Sequence, residues 1–121
     1  MPHVLIIDDE PQIRSMLRQM LERIGLRVSD APDGKAALAL QRNDPADLII
    51  TDIIMPEKEG LETIIEMKRA CPGIKIIAMS GGGRNKPTDY LSLAQKLGAV
   101  RTFAKPIAQK DLIAAVQELL P

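Results

Sequence analysis

"LIITDIIMPEKEG", residues 48–60, starts as a short apolar run, ends that run on the carboxylate of Asp52, adds three more apolar residues and then turns at Pro56 and Gly60. An apolar run of this length closed by turn residues has the form of a buried strand. The segment that follows, "GLETIIEMKRA", has helical spacing and stops before Pro72. A buried strand feeding a helix is one βα unit. What needs explaining is the carboxylate at the point where the strand stops.

Working outward, β-type runs recur at "HVLIID" (3–8), "RVSDA" (27–31), "DLIIT" (47–51), "IKIIAMS" (74–80) and "AVRTFA" (99–104). A longer segment separates each pair, and that alternation implies a parallel sheet. The first separator, "PQIRSMLRQMLERIG", places Ile13, Met16, Leu17, Met20, Leu21 and Ile24 at spacings of three and four, which line one helical face. Pro11 suits its first turn and Gly25 its stop. "DGKAALALQRN", "PTDYLSLAQKLG" and "QKDLIAAVQELL" supply further helices, and Gly98 closes the fourth helix as Gly25 closes the first. The chain reads as five βα units in one domain over residues 1–121, with no repeat, low-complexity tract or linker. Crossovers between parallel strands are right-handed, so helices cover both faces and sites gather at the carboxyl ends of the strands.

Composition narrows the function. Sixteen basic and sixteen acidic residues cancel, which argues against direct nucleic-acid binding or a membrane-surface patch. No apolar run approaches the roughly 18 residues of a membrane span, and "MPHVLIIDDE" lacks a signal peptide's basic start and cleavage site. A soluble cytoplasmic protein is expected. Cys71 stands alone, and without a Cys or His cluster a zinc site is excluded. Cys71 is read as ordinary packing near a helix end, and His3 as an edge residue of the first strand.

The residues at the strand ends are Asp8 and Asp9 after the first, Asp52 after the third, Ser80 after the fourth and Lys105 after the fifth. Each alone has a plain explanation, since an acidic residue after a strand is often a helix N-cap and a Lys before Pro is often a solvated loop residue. Together they need another, because three crowded carboxylates repel unless a cation neutralises them. Oxygen donors without soft ligands point to Mg²⁺ or a similar hard ion, which keeps waters and a phosphate oxygen beside one or two carboxylates. A carboxylate can also attack phosphorus while a metal and a Lys absorb charge, and Asp52 is placed to do so.

These residues resemble the receiver domain of two-component response regulators. The resemblance spans essentially the whole chain and rests on "DDE", "DIIMPEKEG", "MSG" and "GAVRTFAKPI" with the spacings between them. It implies an α/β, flavodoxin-like doubly wound (βα)5 fold, with a five-stranded parallel sheet in the order 2-1-3-4-5. It implies that Asp52 is the phosphoacceptor, that Asp9, Asp52 and the backbone carbonyl of Ile54 bind Mg²⁺, and that Asp8 holds the metal through water. Ser80, the backbone N–H of Gly81 and Lys105 would contact the phosphoryl group, and the Lys105–Pro106 peptide would be cis. The implied partners are a sensor histidine kinase or histidine phosphotransfer protein, and a downstream protein or an output domain beyond this chain. A dimer formed on phosphorylation also falls within the family's range. Such a domain is a switch rather than an enzyme, catalysing only its own phosphorylation and dephosphorylation. The rival is a Mg²⁺-dependent phosphohydrolase with an Asp nucleophile, which would require a second acid for the leaving group and room for substrate.

The chain departs from the family pattern in three places. Thr102 stands where an aromatic switch residue is usual, and Phe103 should point to the opposite face of the strand. "SGGGRNKPTDY" is about three residues longer than is common, and its glycines suit a flexible connector. Ile54 and Gly82 occupy positions that often carry acids or amides beside the attacking water, so slow self-dephosphorylation is expected.

Overall fold

The structure, a computed structural model, describes residues 1–53, 59–80 and 87–121, with the side chains of Glu59 and of residues 87–90 left aside. In the described residues five strands alternate with five helices: β1 His3–Ile7, α1 Pro11–Arg23, β2 Arg27–Ala31, α2 Gly34–Asn43, β3 Leu48–Asp52, α3 Glu59–Ala70, β4 Lys75–Ser80, α4 Pro87–Leu97, β5 Arg101–Ala104 and α5 Gln109–Leu119. The strands form one parallel sheet in the order β2-β1-β3-β4-β5. The expected α/β topology is the one observed.

Strand periodicity divides the core in two. Leu5, Ile7, Ile49, Ile76 and Ala78 face one side with Ala37, Leu61, Ile64, Met67, Leu91 and Ala94. Val4, Ile6, Leu48, Ile50, Ile77 and Met79 face the other with Leu17, Met20, Leu21, Leu112, Ala115 and Val116. Successive residues of a strand point to opposite faces, so a strand covered on both sides must be apolar throughout. β1 is buried at all five positions and apolar at four of them, Val4–Ile7; His3 is the polar exception. Fully burying one of these Ile or Leu side chains stabilises the fold by about 1.5–3 kcal/mol.

Local signals set the helix ends. Pro11 occupies the first turn of α1, and Gly25 and Gly98 take φ of 88° and 126° after α1 and α4, a region that a side chain disfavours. Asp33 caps α2, its carboxylate accepting the Ala36 N–H at 2.8 Å.

Some details differ from the sequence expectations. The buried stripe of α1 is narrower than its apolar spacing suggested, because Met16 is 46% exposed and Ile24, at the helix end, is 36% exposed. β3 includes Asp52, and β5 starts at Arg101 rather than Ala99. His3 is the first residue of β1, at the strand's edge as expected, and its buried imidazole places Nε2 2.7 Å from Ser29 Oγ. Its Nδ1 lies 3.2 Å from both the Pro45 carbonyl oxygen and an Arg27 nitrogen. Cys71 packs partly buried against the core just beyond α3, as expected. The connector at 81–86 lies outside the described residues. No helix among the described residues is long and apolar enough to cross a membrane.

Candidate functional site

The parallel register brings strand ends together. Ile7 is level with Thr51, and Thr51 with Ala78. The next residues, Asp8 and Asp52, therefore leave the sheet side by side.

Asp8 is fully buried and bonded on every side. Its N–H donates to the Ala31 carbonyl at 3.2 Å, and its own carbonyl accepts from Arg14 Nη1 at 2.7 Å. Its Oδ1 accepts the Glu10 N–H at 2.9 Å, and its Oδ2 accepts from Lys105 Nζ at 3.1 Å. Asp52, 4% exposed at the end of β3, accepts from the same ammonium at 3.4 Å. Lys105 is aimed by its backbone: its N–H donates to the Ser80 carbonyl at 2.7 Å, which extends the β4–β5 pairing beyond Ala104. The Lys105–Pro106 peptide is cis, as the resemblance implied.

The electrostatics follow from this geometry. Burial depresses the Lys105 ammonium, but the Asp52 and Asp8 carboxylates outweigh burial and hold its pKa above the usual lysine value. The lysine is firmly cationic and neutralises part of the carboxylate charge. Asp8, Asp9 and Glu10 each offer a carboxylate oxygen within 4.8 Å of the others, all hard donors of the kind Mg²⁺ accepts. The Ser80 hydroxyl is fully buried at the same sheet end and has no hydrogen-bond partner among the described residues. A buried hydroxyl without a partner is costly, and an incoming anionic oxygen would satisfy it. Donor chemistry, crowded charge and this hydroxyl together fit a site for Mg²⁺ and phosphate.

Of the residues expected at the site, Asp8, Asp52 and Lys105 are in direct contact, Asp9 joins Asp8 in the carboxylate group, and Ser80 lies one bond away through Lys105. Ile54, Gly81 and Gly82 lie outside the described residues. Thr102 pairs with Ala78, on the sheet face that Ser80 shares, while Phe103 packs into the core on the α1 and α5 side. The inference about Phe103 holds, and no aromatic ring occupies position 102.

Two neighbours were missed. Glu10, the last residue of "DDE", has no role in the family pattern, yet its carboxylate belongs to the acidic group. Arg14 was overlooked, although its four-residue spacing from Arg18 put two cations on one face of the first helix.

A doubly wound α/β domain with an oxygen-lined acidic pocket and a lysine at the carboxyl edge of its sheet is a recognisable class. The family model of the response regulator receiver domain matches residues 4–117. The chain is 33% identical over 122 residues to the transcriptional regulatory protein CpxR of Klebsiella pneumoniae, covering 99% of this chain and 50% of that protein. It is 34% identical over 120 residues to the response regulator SaeR of Staphylococcus aureus, covering 99% and 51%. The chain thus spans about half the length of these curated relatives. Among solved structures, a Clostridium thermocellum response regulator receiver domain protein superposes with a TM-score of 0.88 at 30% identity, covering 98% of this chain and 94% of that one. Vibrio cholerae chemotaxis protein CheY4 superposes with a TM-score of 0.86 at 28% identity, covering 99% of both chains. This chain belongs to the response regulator receiver domain family, the phosphorylation-controlled signalling module of two-component systems.

Proposed function

We propose that residues 1–121 form one receiver unit in which Asp52 is the phosphoacceptor. The observation that carries this reading is the single Lys105 ammonium shared by Asp8 and Asp52, at 3.1 and 3.4 Å, at the carboxyl edge of the sheet. An Asp52 oxygen attacks phosphorus in line, the P–N bond of a donor phosphohistidine breaks, and its electron pair stays with the imidazole, which takes up a proton. Asp9, Asp52 and the Ile54 carbonyl would hold Mg²⁺ directly and Asp8 through water. The bound ion supplies charge neutralisation for the phosphoryl oxygens. Ser80 would donate its hydroxyl to a phosphoryl oxygen, the Gly81 N–H would donate to another, and Lys105 would move part of its ionic contact from Asp8 to the new dianion.

The donor is a sensor histidine kinase or a histidine phosphotransfer protein, in the cytoplasm. Thr102, beside the Ser80 face and without an aromatic ring, leaves space for Ser80 to move. The surface of α4, β5 and α5 then changes toward a downstream partner, an output domain or a second receiver. Such activation is a shift between pre-existing states, so the phosphoryl contacts need to favour one of them by only a few kcal/mol. The domain itself reads no nucleic acid.

Mg²⁺-dependent labelling with a small phosphodonor tests the reading. Wild type is expected to take up one phosphoryl group per chain, and Asp52→Asn none. Labelling retained in Asp52→Asn overturns Asp52 as acceptor. Repeated turnover of phosphate esters would support the phosphohydrolase instead.

A further inference from the structure

We propose that Arg14 is a positioning residue that holds the acidic turn between β1 and α1 in its metal-binding shape. The inference rests on the reading of that turn as the Mg²⁺ site, and concerns a residue that touches neither the phosphoryl group nor the ion.

The Asp8–Asp9 peptide is the hinge of the turn. Upstream, Asp8 is fixed through the Ala31 carbonyl, and its side chain is fixed through Glu10 and Lys105. Asp9 is exposed, and the contact that sets the rotation of the peptide leading into it is the Arg14 Nη1 hydrogen bond to the Asp8 carbonyl, at 2.7 Å. Rotating that plane would carry the Asp9 side chain away from its neighbours.

Arg14 is itself held from behind. Its Nε lies 3.4 Å from Asp30 Oδ1, with the two side chains 18% and 27% exposed. Arg18 Nη1 binds the other oxygen of Asp30 at 2.8 Å, and Arg18 Nε faces Glu22 at 3.5 Å. Asp30, near the end of β2, thus accepts from two arginines one helical turn apart and anchors the guanidinium that reaches Asp8. A guanidinium presents several donors in a rigid plane and can serve a carboxylate and a carbonyl at once, which an ammonium on a flexible stem does poorly.

Position and charge predict opposite outcomes here. A cation beside three carboxylates would by itself repel Mg²⁺, so a purely electrostatic Arg14 would weaken metal binding and its removal would strengthen it. A positioning Arg14 does the reverse. Groups that orient metal ligands typically change affinity by about tenfold or more when removed.

The test measures Mg²⁺ affinity by calorimetry, together with the hydrogen exchange of the Asp9 and Glu10 amides in metal-free protein. It compares wild type, Arg14→Met, Arg14→Lys, Asp30→Asn and Asp9→Asn. Both Arg14 variants should bind Mg²⁺ about tenfold more weakly, with faster exchange at Asp9 and Glu10. Asp30→Asn, which leaves the Asp8 contact intact but unanchored, should show a smaller loss in the same direction. Tighter binding in Arg14→Met with wild-type affinity in Arg14→Lys would overturn the proposal in favour of charge alone. A lowered melting temperature with unchanged Mg²⁺ affinity and exchange would overturn it in favour of a purely structural ion pair. Should an Arg14 variant fail to fold, Asp30→Asn decides between the same outcomes. If wild type binds no Mg²⁺, the metal site itself is wrong and the inference falls with it; if wild type binds and Asp9→Asn does not, while the Arg14 and Asp30 variants match wild type, only the inference fails.

Discussion

Lys105 faces two carboxylates, and most of its consequences follow from that number. Removing the cation in Lys105→Met leaves Asp8 and Asp52 repelling each other in a largely buried setting. Because the lysine keeps 22% of its side-chain surface, the cost falls between that of exposed and buried pairs, at about 2 kcal/mol. Chemical denaturation at pH 7 measures it, and Mg²⁺ should recover part of the loss by neutralising the same carboxylates. The sign of the pH dependence follows from the direction of the lysine's shift. A folded-state pKa raised above the ordinary 10.5 contributes stability that is fully present below 10.5 and is lost as pH rises through the higher folded value. The gap between wild type and Lys105→Met should therefore be flat from pH 7 to 10.5 and close above it; a gap unchanged in strong alkali would show that the lysine contributes by packing instead. In the proposed mechanism Ile54 bears on a different quantity, the lifetime of the phosphoryl group. Its side chain cannot orient a water, so the phosphorylated wild type should decay slowly and Ile54→Asn faster, as followed by loss of label after donor removal.

α3 reaches Asp52, the proposed acceptor, through an absence. A Cβ on Gly60 would lie 2.4 Å from Ile53 Cα and 2.5 Å from the Asp52 carbonyl oxygen, both of them backbone atoms that cannot yield as a side chain can. The helix therefore rests on the main chain that carries Asp52. Gly60→Ala should force the two apart, costing about 2–3 kcal/mol. It should also slow phosphorylation, since Asp52 would shift with its backbone. Loss of stability with an unchanged labelling rate would show that the acceptor tolerates the displacement. Gly34 makes a similar close approach between α2 and α3, where a Cβ would meet the Thr63 hydroxyl at 2.0 Å. Most of the elements were legible in the sequence because the central strands carry apolar runs, Val4–Ile7, Leu48–Ile50 and Ile76–Met79, and the helices carry helical spacing. The buried width of α1 was not: Met16 obeys the spacing yet stays 46% exposed, because how much of an apolar face is covered depends on what packs against it.

Across the whole molecule, two apolar layers hold a polar edge where Asp8, Asp9, Glu10 and Asp52 gather beside Lys105. Metal binding at that edge should stabilise the entire fold. At about 100 times the dissociation constant, Mg²⁺ adds ~2.7 kcal/mol, a rise of several degrees in melting temperature for a domain of this size. Asp9→Asn should abolish the rise while leaving the metal-free melting temperature nearly unchanged, because Asp9 is exposed. Equal Mg²⁺ stabilisation of wild type and Asp9→Asn would remove Asp9 from the metal site. Much of the candidate site was also readable from the sequence, since Asp8, Asp9, Asp52, Ser80 and Lys105 each lie at or just beyond the end of a strand and a parallel sheet delivers all such ends to one edge.

The sequence by itself determined the alternation of strand and helix, the sheet edge at which chemistry gathers, and the residues whose side chains end there, because periodicity and turn residues act locally along the chain. Tertiary structure alone decided that one ammonium serves both Asp8 and Asp52, that the His3 imidazole is enclosed beside Ser29, that Gly60 presses on the Asp52 backbone, and that Arg14 bridges Asp30 to the Asp8 carbonyl. Each of these is a contact between different elements, set by strand register and helix placement in three dimensions, which spacing along a chain does not encode.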